Sequence, residues 1–99
     1  MREIVISNRA QKNIEDLFDY LETKWSEKVK KEFALKLYNT IKIIRINPES
    51  FPKSAINFKY SKCVISKQTT VYYSFNSKQV SILSLFDTRQ NPKRIQKIR

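Results

Sequence analysis

The stretch Leu21-Glu22-Thr23-Lys24-Trp25-Ser26-Glu27-Lys28-Val29 decides the fold, because it closes one amphipathic helix and opens another with hardly a residue between them. Upstream, Ala10, Ile14, Leu17, Phe18, Leu21 and Trp25 recur at steps of 4, 3, 1, 3 and 4. That spacing gathers them on one stripe of a helix and leaves Glu15, Asp16, Asp19 and Glu22 elsewhere on its surface. Ser26 then offers a side-chain oxygen to the free N–H groups of a second helix, along which Val29, Phe33, Leu37, Ile41 and Ile44 recur at 4, 4, 4 and 3. A connection this short makes the pair an antiparallel αα-hairpin. Leu35, Tyr38 and Ile46 fall nearly opposite Phe33 and Ile44, so the second helix is apolar on two sides. One side must meet a sheet. The other meets the first helix or a partner protein, and the first helix is the expected occupant, since a helix in a two-layer packing commonly buries two faces.

Outward from the hairpin, Glu3 to Ser7 is a short β-branched run that reads as a strand, and Ser7 or Asn8 can cap the first helix. Asn47-Pro48 and Phe51-Pro52 end the second helix in an irregular loop, because proline cannot continue it. Three runs of strand composition follow: Phe58 to Ser66, Thr69 to Phe75, and Gln79 to Phe86. The breaks at Lys67-Gln68 and Asn76-Ser77-Lys78 are short enough for hairpins. The chain has no glycine, so Asn76 is expected to adopt the positive φ that such a turn favours. Val71, Tyr73 and Phe75 share a face with Val80 and Ile82, while Leu83 and Leu85 make the last run apolar on both faces, the mark of a central strand. Beyond Asp87-Thr88-Arg89-Gln90, Asn91 and Pro92 suit the start of a short basic helix carrying Lys93, Arg94, Lys97 and Arg99. The expected architecture is a single α+β domain spanning residues 1–99: an N-terminal strand, a helical hairpin packed on a mostly antiparallel four-stranded sheet, and a short C-terminal basic helix.

The chain of 99 residues is 40% hydrophobic and 12% aromatic, enough for one small core and hardly for two. No run approaches the ~18 apolar residues of a membrane-spanning helix, and Met1 to Ala10 has no signal-peptide pattern, so a cytoplasmic protein without membrane partners is expected. With no histidine and one cysteine, Cys63, zinc sites, histidine-dependent triads and internal disulfides are excluded; no metal or other cofactor is expected. Cys63 reads as a small buried strand residue. The net charge is +11 and unevenly spread: Asn8 to Asn47 holds nine basic and six acidic residues, Pro48 to Arg99 ten basic and two acidic. Such an imbalance attracts a polyanion, either a nucleic acid or an acidic protein.

Candidate functional residues lie on the strands and turns. Lys59, Lys62 and Lys67 can contact phosphates, with Tyr60 or Tyr72 stacking on bases of a single strand, although tyrosines on a sheet are ordinarily half-buried packing residues. Arg89 leaves the end of an interior strand beside Asp87 and is either a functional cation or the partner of a local ion pair.

Several stretches together resemble the RelE/ParE superfamily of bacterial toxins: Ile4-Val5-Ile6-Ser7-Asn8-Arg9-Ala10, Asp19-Tyr20-Leu21-Glu22, Lys24-Trp25-Ser26-Glu27-Lys28, Asn47-Pro48-Glu49-Ser50-Phe51-Pro52, Val71-Tyr72-Tyr73, and Ile82 through Pro92. The resemblance implies a toxin of a type II toxin–antitoxin pair, silenced by a cognate acidic antitoxin; Leu35, Tyr38 and Ile46 are then its candidate binding stripe. RelE-like members cut messenger RNA on the ribosome with late arginines, lysines and a tyrosine or histidine, whereas ParE-like members poison DNA gyrase. This sequence has Thr69-Thr70 where the nuclease pattern has an arginine, and neither His nor Tyr beyond Phe86. Arg89 is the remaining candidate catalytic residue. Lys59, Lys62, Lys67 and Tyr72 join it as candidate phosphate or target contacts. The ParE-like reading is therefore preferred to ribosome-dependent cleavage, and a small basic nucleic-acid-binding module is the reading outside the toxins.

Overall fold

The computed structural model describes residues 1–55 and 57–90. The elements are β1 (Glu3–Ile6), α1 (Asn8–Lys24), α2 (Glu27–Ile46), a 3-10 turn (Pro48–Ser50), β2 (Ser61–Val64), β3 (Thr69–Phe75) and β4 (Gln79–Asp87). The helix starts are those the sequence dictates. Ser7 Oγ accepts from Ala10 N at 3.0 Å and Ser26 Oγ from Val29 N at 3.1 Å, so each hydroxyl satisfies an N–H that the helix itself cannot.

The four strands form one mixed sheet in the order β1-β4-β3-β2, with β1 parallel to β4 and the other pairs antiparallel. β4 is central, as its apolar content requires, but Leu83 contributes in an unexpected way. Tyr72 pairs with Ser84 and Tyr73 with Ile82, leaving Leu83 as the extra residue of a β-bulge. The bulge converts an odd spacing into a common face, so that Val80, Ile82, Leu85 and Asp87 all lie opposite the inward-facing Phe75, Tyr73, Val71 and Thr69. β4 also outruns β1. Past Ile82 its edge is covered by side chains of the α1 region: Ser7 Oγ donates to Leu83 O at 2.8 Å and Asn13 Oδ1 accepts from Leu85 N at 3.1 Å.

The helices cover one face of this sheet. Ala10, Leu17 and Leu21 bury α1 against β4, and Phe18 meets Phe33 of α2 edge to face at 6.3 Å. α2 lies mainly alongside α1 and touches β4 more sparingly, burying Phe33, Leu37 and Ile44. At the far end Tyr73 donates its hydroxyl to Pro48 O at 2.5 Å, pinning the loop after α2 to the core, and burial pushes the Tyr73 phenol up to about 12.

Several expectations are corrected. The second stripe of α2 does not pack on α1: Leu35, Tyr38 and Ile46 are 62%, 61% and 59% exposed, because the Phe33–Leu37–Ile44 side alone meets both α1 and the core. Trp25 is the C-cap residue of α1 and is exposed, having left the helical stripe where the hairpin turns. β2 begins at Ser61, since Phe58 and Lys59 form a turn in which Asn57 Oδ1 accepts from Lys59 N at 3.0 Å. Asn76 has no positive φ; its side chain instead closes the β3–β4 turn, accepting from Lys78 N at 2.8 Å and Gln79 N at 2.9 Å. The expected basic helix from Pro92 lies outside the described residues.

Candidate functional site

Arg89 stands where β4 ends, and its partner is already present. Its Nε donates to Asp87 Oδ1 at 3.0 Å, its Nη2 to Asp87 Oδ2 at 2.7 Å, and its backbone N–H to Oδ1 at 2.9 Å. Thr69 Oγ1, directly across the strand pair, donates to Oδ2 at 2.5 Å. Burial alone would raise the Asp87 carboxyl, whose side chain is 0% exposed, but the hydrogen bonds from Arg89 and Thr69 outweigh it and hold the group below the usual carboxylate range. The same hydrogen bond raises the Arg89 guanidinium further. With 24% of its side chain exposed, Arg89 presents an edge to solvent while its fork is occupied by the carboxylate. Thr69 is the member of this cluster that the sequence concealed; its pairing with Asp87 follows only from the β3–β4 register.

The other strand candidates divide between two ends and the middle of the sheet. Thr88 N donates to Gln68 O at 2.9 Å, which brings the Arg89 exit beside the β2–β3 turn bearing Lys67. Lys62 and Tyr72 sit directly opposite each other on the face turned away from the helices, both half-buried. Lys59 lies at the other end with exposed Phe58 and Tyr60. Lys59 and Arg89 are therefore not parts of one reaction centre. Cys63 points inward and is buried, and burial pushes its thiol up, opposite to what a nucleophile needs.

A third surface is the outward side of α2. Leu35, Tyr38 and Ile46 are joined there by Ile43, 53% exposed, which the sequence reading missed although it lies three residues before Ile46. Lys42 Nζ stands 5.3 Å from the Tyr38 ring centroid, and Lys28, Lys31 and Lys36 are exposed along the same helix. The stripe thus combines exposed apolar side chains with Lys28, Lys36 and Lys42, while Lys31 is paired with Glu27 at 3.5 Å and Glu32 is exposed beside Leu35.

A family model described as the ParE toxin of type II toxin–antitoxin systems matches residues 4–92, from β1 through the whole sheet. The chain belongs to the ParE toxin family. Among solved structures, this ParE-family chain is similar to one described as a chromosomal ParDE toxin–antitoxin system from P. aeruginosa, with a TM-score of 0.74 at 8% identity, covering 88% of this chain and 96% of that one. It is also similar to a chain of the E. coli DinJ-YafQ complex, with a TM-score of 0.61 at 12% identity and coverage of 92% and 98%. A conserved hypothetical protein from Helicobacter pylori gives 0.58 at 18% identity, with coverage of 90% and 97%. At these identities the likeness is one of fold. No curated protein matches the sequence.

Among the described residues no helix is long and apolar enough to cross a membrane, and no group of His, Cys, Asp and Glu could hold a metal ion.

Proposed function

We propose that this ParE-family toxin arrests growth by inhibiting DNA gyrase through protein contacts, and that a cognate acidic antitoxin silences it. The observation that carries the non-catalytic reading is the Asp87–Arg89 fork. Messenger RNA cleavage requires a base for the 2′-hydroxyl and a free positive group at the phosphorane, whereas the candidate arginine is held by the buried Asp87 carboxylate, which also accepts from the Thr69 hydroxyl.

The antitoxin is assigned to the outward side of α2, on Leu35, Tyr38, Ile43 and Ile46. An amphipathic acidic segment would cover the apolar stripe and pair with Lys28 and Lys42 beside it, while a second copy of this chain would set these lysines against one another. One similar structure is described as the E. coli DinJ-YafQ toxin–antitoxin complex, which supports a protein partner of this class. Lys59, Lys62, Lys67 and Tyr72, on the sheet side, are left for the target.

Induction of the toxin without its antitoxin tests the target. Cells are expected to filament and show DNA damage while bulk messenger RNA stays intact; rapid cleavage of translated transcripts would replace this reading with ribosome-dependent endonuclease activity.

A further inference from the structure

The face of the sheet turned away from the helices has an electrostatic character that no single residue reveals. On β2, β3, β4 and the turns joining them, the only carboxylate among the described residues is Asp87, and its side chain is wholly buried and faces the helices. Glu3 is on β1, at the opposite edge of the sheet from β2. Lys59, Lys62 and Lys67 have no carboxylate within ion-pairing distance among the described residues. Positive charge on this side is therefore neutralised by nothing in the described fold.

The same surface carries aromatic rings that the core does not use. Phe58 is 76% exposed in the turn before β2, and Tyr60 is 39% exposed one residue ahead of Ser61. Inward-facing Ser61 and Cys63 put Lys62 on the outer face, where it stands opposite Tyr72 in register. Side chains so paired lie ~5 Å apart at Cβ, and successive outward positions on one strand ~7 Å apart. Lys62 and Tyr72 thus set an ammonium group beside a ring on the outer face, and exposed Phe58, Lys59 and Tyr60 adjoin them in the segment leading into β2. A purely acidic peptide would use the lysines and leave the rings wet; a duplex would offer phosphates but keep its bases stacked inside. A single strand uses both, with phosphates on lysines and unstacked bases on aromatic faces.

We infer that Lys62 and Tyr72 on the outer face of β2 and β3, together with Phe58, Lys59 and Tyr60 in the segment leading into β2, bind single-stranded nucleic acid directly, without help from another protein. The inference does not depend on gyrase being the target, and its test contains no gyrase and no ribosome.

Fluorescence anisotropy with the full chain and labelled dT12, rU12 and the dA12·dT12 duplex reads the affinity, with polyglutamate as competitor. Both single strands are expected to bind at least tenfold more tightly than the duplex, and the tighter of the two indicates whether DNA or RNA is the natural ligand. Polyglutamate at equal charge should fail to displace them. Two lysines on phosphates predict a loss of roughly sevenfold between 50 and 200 mM salt. Phe58→Ala and Tyr72→Leu should each weaken single-strand binding about tenfold at unchanged salt slope, whereas Lys62→Gln should flatten the slope by about 0.7. Phe58 is too exposed for its truncation to disturb the core, and far-UV circular dichroism checks each variant. Equal affinity for duplex and single strand, full displacement by polyglutamate, or wild-type binding by folded Phe58→Ala would each overturn the inference.

Discussion

At the scale of single residues, Arg89 is the most consequential side chain, and its importance begins with the fold. Its guanidinium neutralises a carboxylate that has no access to water. Removing it by Arg89→Ala leaves Asp87 buried and unpaired, so the chain is expected to lose about 3 kcal/mol of stability in urea unfolding. The double variant Asp87→Asn with Arg89→Gln removes both charges together and should lose markedly less. A loss of toxicity in Arg89→Ala alone would therefore report on folding; the double variant separates the two effects. The pair also predicts a direction with pH. Because the native Asp87 carboxyl lies below its ordinary value of 3.8, its contribution is complete above that value and disappears as pH falls through the lower native one. The stability gap between wild type and Asp87→Asn should accordingly narrow on acidification below pH ~4 and stay constant from there to neutrality. The Asp87-Thr88-Arg89 sequence allowed this pairing beside a functional role, but the Thr69 hydroxyl that completes it depends on strand register. Asn76 teaches the same lesson: its type marked a turn, while its method, accepting two N–H groups instead of bending to positive φ, depends on local geometry.

At the scale of elements, helices were more legible than strand ends. Apolar spacing and two serine caps define α1 and α2, since both signals are local. Ser26→Ala is expected to cost about 1 kcal/mol in thermal or urea unfolding, as removal of a cap generally does. The bulge at Leu83 was not legible, because it exists only relative to β3. Nor was the side of α2 that meets solvent: two apolar stripes on one helix look alike until the packing partners are placed. That ambiguity had functional content, since the stripe left outside is the proposed antitoxin site. Leu35→Lys and Ile46→Lys should leave circular dichroism and melting temperature within experimental scatter, yet reduce antitoxin affinity at least a hundredfold in calorimetry, as loss of two interface anchors does. Preserved affinity in both variants would move the antitoxin to another surface.

At the scale of the whole molecule, the fold segregates acidic side chains, though not basic ones. All six acids between Asn8 and Asn47 lie on the helical hairpin, while the described strands from β2 to β4 expose none. The α+β architecture was readable from the chain's periodicity, and its excess of positive charge from composition. The assignment of particular lysines to one centre was not, because residues near in sequence or alike in type are carried to opposite ends of the sheet. A molecule arranged this way can be covered by an acidic protein on its helical side and still offer its sheet to a target. The most direct measurement of the central claim is gyrase supercoiling with the purified toxin, run beside transcript cleavage on programmed ribosomes. The account predicts that wild type and the charge-neutral Asp87→Asn, Arg89→Gln variant both inhibit supercoiling, that the antitoxin relieves the inhibition, and that transcripts stay whole. Unimpeded supercoiling together with cut transcripts would contradict it.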